Sequence, residues 1–234
     1  VIDTAQLAAN WTAVRKRVDE ACRAAGRDPA EVNVLPVSKT FGPDVVRAAL
    51  ALGLRRFGEN KVQEIREKAA ALAGESIDWV VIGHLQTNKA KDVARLASEV
   101  QSLDRLELAE ALHRRLMAEN RTLDVLVQVK TAREETKHGL PGEELPGFLE
   151  RLRAYPTLRV KGLMTLATQS EDTNEVRACF RQLRELRDRC ATAGRPVPRL
   201  SMGMSSDFPL AIAEGATEVR IGTAIFGSRS YGAG

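Results

Sequence analysis

Val32-Asn-Val-Leu-Pro-Val-Ser-Lys39 is the stretch on which the fold turns. Val32, Val34, Leu35 and Val37 form a short apolar run, and Thr40-Phe-Gly-Pro43 interrupts it. Asp44 to Leu52 then carries a helical pattern that begins just after Pro43. A buried strand that feeds straight into a helix is the opening of a parallel β-α-β unit. The strand ends on Lys39, and the residue type matters. The chain has only nine lysines against 26 arginines, so a lysine stands here where arginine is the usual cation. A guanidinium stays protonated and cannot form an imine. A lysine amine partly desolvated at the mouth of a barrel can lose its proton and attack an aldehyde.

The same alternation runs outward from this unit. Residues 1–26 read as a helix, with Leu7, Trp11, Val14, Val18, Cys22 and Ala25 at helical spacing and Gly26 closing it. After the first strand, at about 32–38, a short strand is expected to end in Arg56-Phe-Gly-Glu-Asn60, and further strands are expected at Trp79–Ile82, Glu99–Ser102, Asp124–Val129, Val160–Met164, Arg199–Met202 and Glu218–Ile221. The helices between them are expected at Asp44–Leu52, Lys61–Ala73, Asn88–Ala97, Arg105–Glu119, Leu145–Leu152, Thr173–Ala193 and Pro209–Glu214. Eight strands, each followed by a helix or helical turn, predict an α/β fold: a single (β/α)8 TIM barrel over 32–231, preceded by the extra N-terminal helix. An open doubly wound sheet is the alternative. No Gly-x-Gly-x-x-Gly follows a strand, and no Gly-x-x-x-x-Gly-Lys-Ser/Thr occurs. With no Pro/Gly/Ser-rich linker, residues 1–234 are expected to form one domain.

Composition narrows the class of function. Hydrophobic residues at 44% and charged residues at 28% fit a soluble globular chain. The net charge is +4, but acids and bases alternate at helical spacing, as in Arg181, Glu185 and Arg189. With aromatics at only 4%, there are few platforms on which bases could stack, so nucleic acid is not expected as a partner. A mild positive balance suits a phosphorylated ligand. The three cysteines include no Cys-x-x-Cys pair, and no long apolar run is present. These features predict a reduced, cytoplasmic protein without a membrane partner.

In such a barrel, function gathers at the C-terminal ends of the strands. Those ends offer Lys39, Asn60, His84, Ser102, Lys130, Met164, Ser201 and Arg220 with Gly222 and Thr223. The last two strands are the usual phosphate end of the fold. They carry Ser201-Met-Gly-Met-Ser-Ser206 and Arg220-Ile-Gly-Thr223, where glycine admits close backbone N–H groups and hydroxyls add donors. A Schiff-base lysine beside a phosphate cup describes pyridoxal 5'-phosphate (PLP). Lys130 also ends a strand and is a rival for the covalent role. Lys161 is expected to begin its strand, at the opposite end of the barrel. Asn60 has two readings, ligand contact or cap of the next helix. His113 reads as a helix-surface residue and His138 as a loop residue. Three scattered histidines without a cysteine cluster predict no metal site.

Five blocks in order complete the picture: Val37-Ser-Lys39-Thr40, Phe57-Gly-Glu-Asn60, Ile82-Gly-His-Leu-Gln-Thr-Asn-Lys89, Leu200-Ser-Met-Gly-Met-Ser205 and Val219-Arg-Ile-Gly-Thr-Ala-Ile-Phe-Gly227. Together they resemble the PLP homeostasis proteins of the YggS/PROSC type, over about residues 32 to 231. The resemblance implies an alanine-racemase-like barrel that carries PLP as an imine on Lys39. It implies that Arg220 faces the pyridine nitrogen and that Gly222, Thr223 and Ser205 contact the phosphate, with Ser201 close by. Asn60 and His84 fall in family motifs near the cofactor. Lys130 departs from the pattern, since an asparagine is expected after the fifth strand.

The resemblance favours a PLP carrier or buffer that serves PLP homeostasis without turnover. A racemase needs a second acid/base group, commonly a tyrosine from another domain. The expectation is that this chain ends with its barrel, which leaves Tyr231 as the one credible tyrosine and Tyr155 at the far end. The alternative is a small single-domain fold-type III PLP enzyme, an amino-acid racemase or lyase. A Schiff-base aldolase acting on a phosphosugar is a third, weaker reading. Apo PLP-dependent enzymes are conceivable partners at the open barrel mouth, where Lys137 lies in the charged loop Glu134–Gly139. A monomer is expected.

Overall fold

A computed structural model describes residues 3–135 and 138–228. Nine strands form one parallel sheet system: β1 (Asn33–Pro36), β2 (Arg56–Glu59), β3 (Asp78–Val81), β4 (Ala97–Leu103), β5 (Leu123–Lys130), β6 (Leu140–Pro141), β7 (Leu158–Met164), β8 (Arg199–Ser201) and β9 (Glu218–Ile221). Eight of them follow the order β1-β9-β8-β7-β5-β4-β3-β2, and β6 pairs with β5 outside that path. The path closes on itself at a single bridge between Val37 and Gly58, where the Ser38 N–H donates to the Gly58 carbonyl at 3.1 Å. The result is the expected eight-stranded parallel barrel, nearly closed.

Helices wrap the outside: α1 (Thr4–Ala24), α2 (Pro43–Ala51), α3 (Val62–Ala71), α4 (Ala90–Leu96), α5 (Leu106–Ala118), α6 (Leu145–Leu152), α7 (Thr173–Thr192), α8 (Phe208–Ala213) and the single turn α9 (Thr223–Phe226). Local chemistry sets their ends. Asp3 caps α1 by accepting from the Ala5 and Gln6 N–H groups, and Asp172 caps α7 by accepting from Asn174. Pro43 opens α2, where its missing N–H costs nothing. Leu108, Ala109, Leu112 and Leu116 on α5, and Val176, Phe180, Leu183 and Leu186 on α7, face the strands and are buried.

The structure corrects some expected boundaries. The two-residue β6 is too short to leave a periodic signature. The helix expected over Asn88–Ala97 is a 3-10 turn, Thr87–Lys89, followed by α4, and Ala97 already belongs to β4. The strand expected to start at Val160 starts at Leu158, so Lys161 lies in its middle and is half-buried.

Strand alternation explains what fills the barrel. Successive side chains point to opposite faces. On β9, Val219 and Ile221 join the apolar layer beneath the helices, while Glu218 and Arg220 face inward. The same parity turns Glu99 and Gln101 of β4, Arg199 and Ser201 of β8 and Arg56 of β2 into the interior. Strands β2, β4 and β9 are not neighbours, so bonds between them must cross the inside of the barrel. Arg56 bonds Glu218 (2.5 Å) and Glu99 (2.6 Å), Arg199 bonds Glu99 (2.6 Å), and the Gln101 amide donates to Glu99 (2.7 Å) and Glu218 (2.5 Å). Burial alone would raise the Glu99 carboxyl; bonds from Arg199 and the charge of Arg56 outweigh it and hold the group below its ordinary range. The floor of the barrel is therefore ionic, not apolar.

Removing one carboxylate from this floor leaves the half-buried Arg56 and Arg199 and the buried Arg220 short of counter-charge. Glu218→Ala should destabilise the protein by about 3 kcal/mol, read as a lowered urea midpoint with an unchanged denaturant slope.

Candidate functional site

The parity that lays the ionic floor also builds the site above it. On β1, Leu35 and Val37 face inward beside Gly58, so Lys39, two residues on, faces inward as well. Lys39 is half-buried and lines a cavity of about 530 Å3 at the C-terminal mouth of the barrel. That volume lies in the range of small-ligand pockets, roughly 300–1,000 Å3. Arg220, Asn60, His84, Ser205, Gly222 and Thr223 line the same cavity. Of the eight residues singled out from sequence as cofactor contacts, seven thus meet here.

The eighth, Ser201, is not among the lining residues; it is fully buried beneath Arg220. Its hydroxyl accepts from Arg220 Nη1 at 2.7 Å and donates to Gln101 Oε1 at 2.6 Å. Arg220 Nη2 donates to the Thr165 carbonyl at 3.0 Å. Arg220 is only 3% exposed. Burial lowers its pKa to about 10, with Glu218 and Asp207 acting against the shift, so it stays cationic at neutral pH. A chain of bonds therefore runs from the cavity through Arg220, Ser201 and Gln101 to the carboxylates below. Gln101 was not foreseen from sequence, because a glutamine inside a strand carries no signal until the strand's partners are known.

Two glycines shape one end of the cavity. Gly203 has φ +101°, a conformation that L side chains rarely adopt, and it turns the Met202–Asp207 loop back over β9. A Cβ at Gly222 would sit 3.1 Å from the Val37 carbonyl. Gly222 leads directly into α9, whose first N–H groups have no carbonyl one turn earlier to bond. Together with the hydroxyls of Ser205, Ser206 and Thr223, they make a donor-rich cup suited to an anionic oxygen cluster.

The fold also places the other candidates. Lys130 ends β5 beside β6, pairs in register with Pro141, and is not a lining residue; Lys39 is the lysine in the cavity. Asn60 is not the cap of α3, since Lys61 holds that position without a side-chain bond, and Asn60 faces the cavity instead. His113 is half-buried, bonding Thr157 at 2.7 Å and packing on Tyr155 at the far end of the barrel. The expectation of scattered histidines is wrong for the other two: His84 and His138 stack at 3.8 Å. Partial desolvation, then His138 and Arg105, lower the pKa of His84. Gln128, whose amide donates to the His138 carbonyl at 3.1 Å, is a further lining residue without a sequence signal. Lys137 and Tyr231 lie outside the described residues.

Residues 2–230 match the family profile described as alanine racemase, N-terminal domain. A pyridoxal phosphate homeostasis protein of Pseudomonas aeruginosa is 44% identical over 227 residues, 97% of each chain. One from Aquifex aeolicus is 43% identical over 219 residues, 93% of this chain and 96% of its own. The chain belongs to the pyridoxal phosphate homeostasis protein family. Among solved structures, PipY of Synechococcus elongatus, with PLP bound, superposes with a TM-score of 0.79 at 34% identity, covering 90% of this chain and all of that one.

In this member of the homeostasis family, the segment carrying Lys39 is braced from outside the barrel. The alternation that turns Lys39 inward turns Ser38 and Glu59 outward, toward α3. Ser38 Oγ donates to Glu59 at 2.5 Å. The Lys68 ammonium donates to Glu59, to the Ser38 carbonyl (2.8 Å) and to Glu64 (3.3 Å). Glu64 in turn accepts from the Thr40 N–H at 2.6 Å. Thr40 holds φ +69°, a strained setting for a β-branched residue. The backbone on both sides of Lys39 is thus tied to one helix. Glu59 is fully buried, and one of its oxygens has no partner. Burial pushes its pKa up to about 7, against the pull of Lys68 and Ser38.

A carboxyl with a folded pKa near 7 and an ordinary unfolded value keeps its proton longer in the folded state. Its contribution is at its most favourable below the unfolded pKa and is lost as pH rises to about 7. The wild type should therefore lose stability relative to Glu59→Gln between about pH 4.5 and 7, by at most on the order of 3 kcal/mol, with a flat difference above that. Urea denaturation across this range, with both proteins in parallel, tests it.

Proposed function

We propose that this protein binds PLP in the cavity at the barrel mouth and serves as its carrier or buffer in the cytoplasm. The observation that carries the proposal is the meeting of a lysine amine, a buried arginine and a glycine-lined donor cup in one pocket. The reading is supported by the family to which the chain belongs and by the PLP-bound PipY structure.

The residues fit the group on chemical grounds. Lys39 is the amine that would hold the aldehyde as a Schiff base. Gly222, Thr223 and Ser205 would take the phosphate, with Asn60 and His84 on the lining. PLP, when bound, supplies an electron sink toward the pyridine nitrogen. Arg220 would donate to that nitrogen. Ser201, Gln101 and the Thr165 carbonyl fix its guanidinium, which does not give up its proton. A nitrogen left unprotonated weakens the sink, so binding is kept while carbanion chemistry is restrained.

Racemisation asks for two acid/base groups on opposite faces of a substrate. Tyr155 lies at the far end of the barrel with His113. Among the described lining residues, Lys39, His84 and His138 are the side chains of acid/base type besides the buried Arg220. Carriage over turnover is favoured by the fixed Arg220 guanidinium opposite the pyridine nitrogen and by the family. A small PLP-dependent racemase or lyase is the reading to be tested against it. We propose further that the chain acts as a single-domain monomer and that apo PLP-dependent enzymes are its recipients. Among the described residues, no helix is long and apolar enough to cross a membrane.

Two measurements check this function. Lys39→Ala should abolish the PLP that borohydride fixes to the protein, while the variant stays folded by circular dichroism; fixed cofactor in Lys39→Ala would refute the assignment. α-Proton exchange of D- and L-amino acids in deuterated water, followed by NMR, should not exceed that of free PLP. Exchange at enzymatic rates that depends on Lys39 would establish a catalyst instead.

A further inference from the structure

At one edge of the cavity, three side chains from three different elements converge. His84 follows β3, Asp104 follows β4, and His138 precedes β6. One ligand atom of each lies within 4.8 Å of the others. We propose that His84, Asp104 and His138 form a binding site for one divalent transition metal ion of the zinc class. His84 also lies on the lining of the PLP cavity, but holding PLP there calls on neither Asp104 nor His138, and the inference does not depend on the cofactor reading.

The geometry is close to what an ion demands. Bonds of about 2.0–2.2 Å place neighbouring ligand atoms roughly 3.0–3.6 Å apart. Both histidines are exposed, so their rings have room to turn toward Asp104. The rings are stacked nearly parallel, 14° apart; the nitrogen lone pairs lie in the ring planes, so one ring must turn out of the stack for both to meet at one ion. The backbone beneath His138 is already held by Gln128. Asp104 is also anchored: Arg105 bonds its carboxylate at 2.9 Å and donates to the Leu85 carbonyl at 2.6 Å. The anchored partner orients the carboxylate in the way that outer partners orient metal ligands.

Arg105 also decides the kind of ion. It offsets the charge of the single carboxylate, which weakens the site for hard cations that want several oxygens. Two imidazoles and one tempered carboxylate favour Zn2+, Co2+ or Ni2+ over Mg2+ and Ca2+. Three protein ligands leave a fourth position for water or for a group in the cavity, since both histidines line it.

The test is calorimetric titration of metal-free, cofactor-free protein with ZnCl2, backed by the visible absorption of the CoCl2 complex. The wild type should take up one equivalent and give cobalt bands of low coordination number. His138→Ala should bind at least roughly tenfold more weakly and lose the bands, and His84→Ala should do the same. His113→Gln, on the opposite end, should titrate like the wild type. Thermal melts confirm that each variant is folded; His138 lies on an exposed loop, so its replacement keeps the test valid if Asp104→Ala does not fold. Absence of a stoichiometric site in the wild type, or an unchanged titration in His138→Ala, overturns the proposal. Lys39→Ala should retain the zinc site, which separates its failure from failure of PLP binding.

Discussion

The constraint on which the rest of this structure depends is the burial of the Arg220 cation. A guanidinium at 3% exposure inside a barrel is tolerable only if its donors are satisfied and its charge is balanced. Ser201 and the Thr165 carbonyl satisfy the donors. The balance comes from Glu218 and Asp207, while Gln101 ties Ser201 to Glu99 and Glu218 below, which Arg56 and Arg199 hold in place. Because these bonds cross between strands that do not neighbour one another, they also fix the shape of the barrel. The feature that would face a ligand and the feature that ties the far strands together are parts of one network.

A second network works from the opposite face of the wall. Lys39 has to lie inside, yet the backbone that carries it turns sharply at Thr40. Lys68 and Glu64 of α3 bind the residues on either side of it, with Glu59 and Ser38 completing the cluster. This cluster lies close to the single bridge that closes the barrel. Closure and placement of the amine are therefore mechanically linked. Strain at Thr40 persists because the surrounding bonds over-determine it.

Much of this was legible beforehand. The eight strands could be read because apolar runs bounded by glycine and proline recur with helical patterns between them. Lys39, Arg220, Gly222 and Thr223 could be read because the ends of barrel strands are where function collects. The buried polar residues could not be read the same way. Glu99, Gln101 and Glu218 sit in strands that score as ordinary alternation, and a polar residue on a strand is normally taken as solvent-facing. In a closed barrel the second face is interior, so the usual inference inverts. Ser201 illustrates the point: its strand-end position is right, but its hydroxyl is spent on Arg220 and Gln101.

The sequence by itself determined the order of elements, the parity of each strand and hence which face Lys39 and Arg220 share, because these follow from local periodicity. Only the tertiary structure decided which polar groups meet. The bonds from Arg56 to Glu218, from Lys68 to Ser38 and Glu59, and the stacking of His84 on His138 join residues 162, 30, 9 and 54 positions apart. No local rule relates side chains at such separations; closing the barrel and docking the helices brings them within reach.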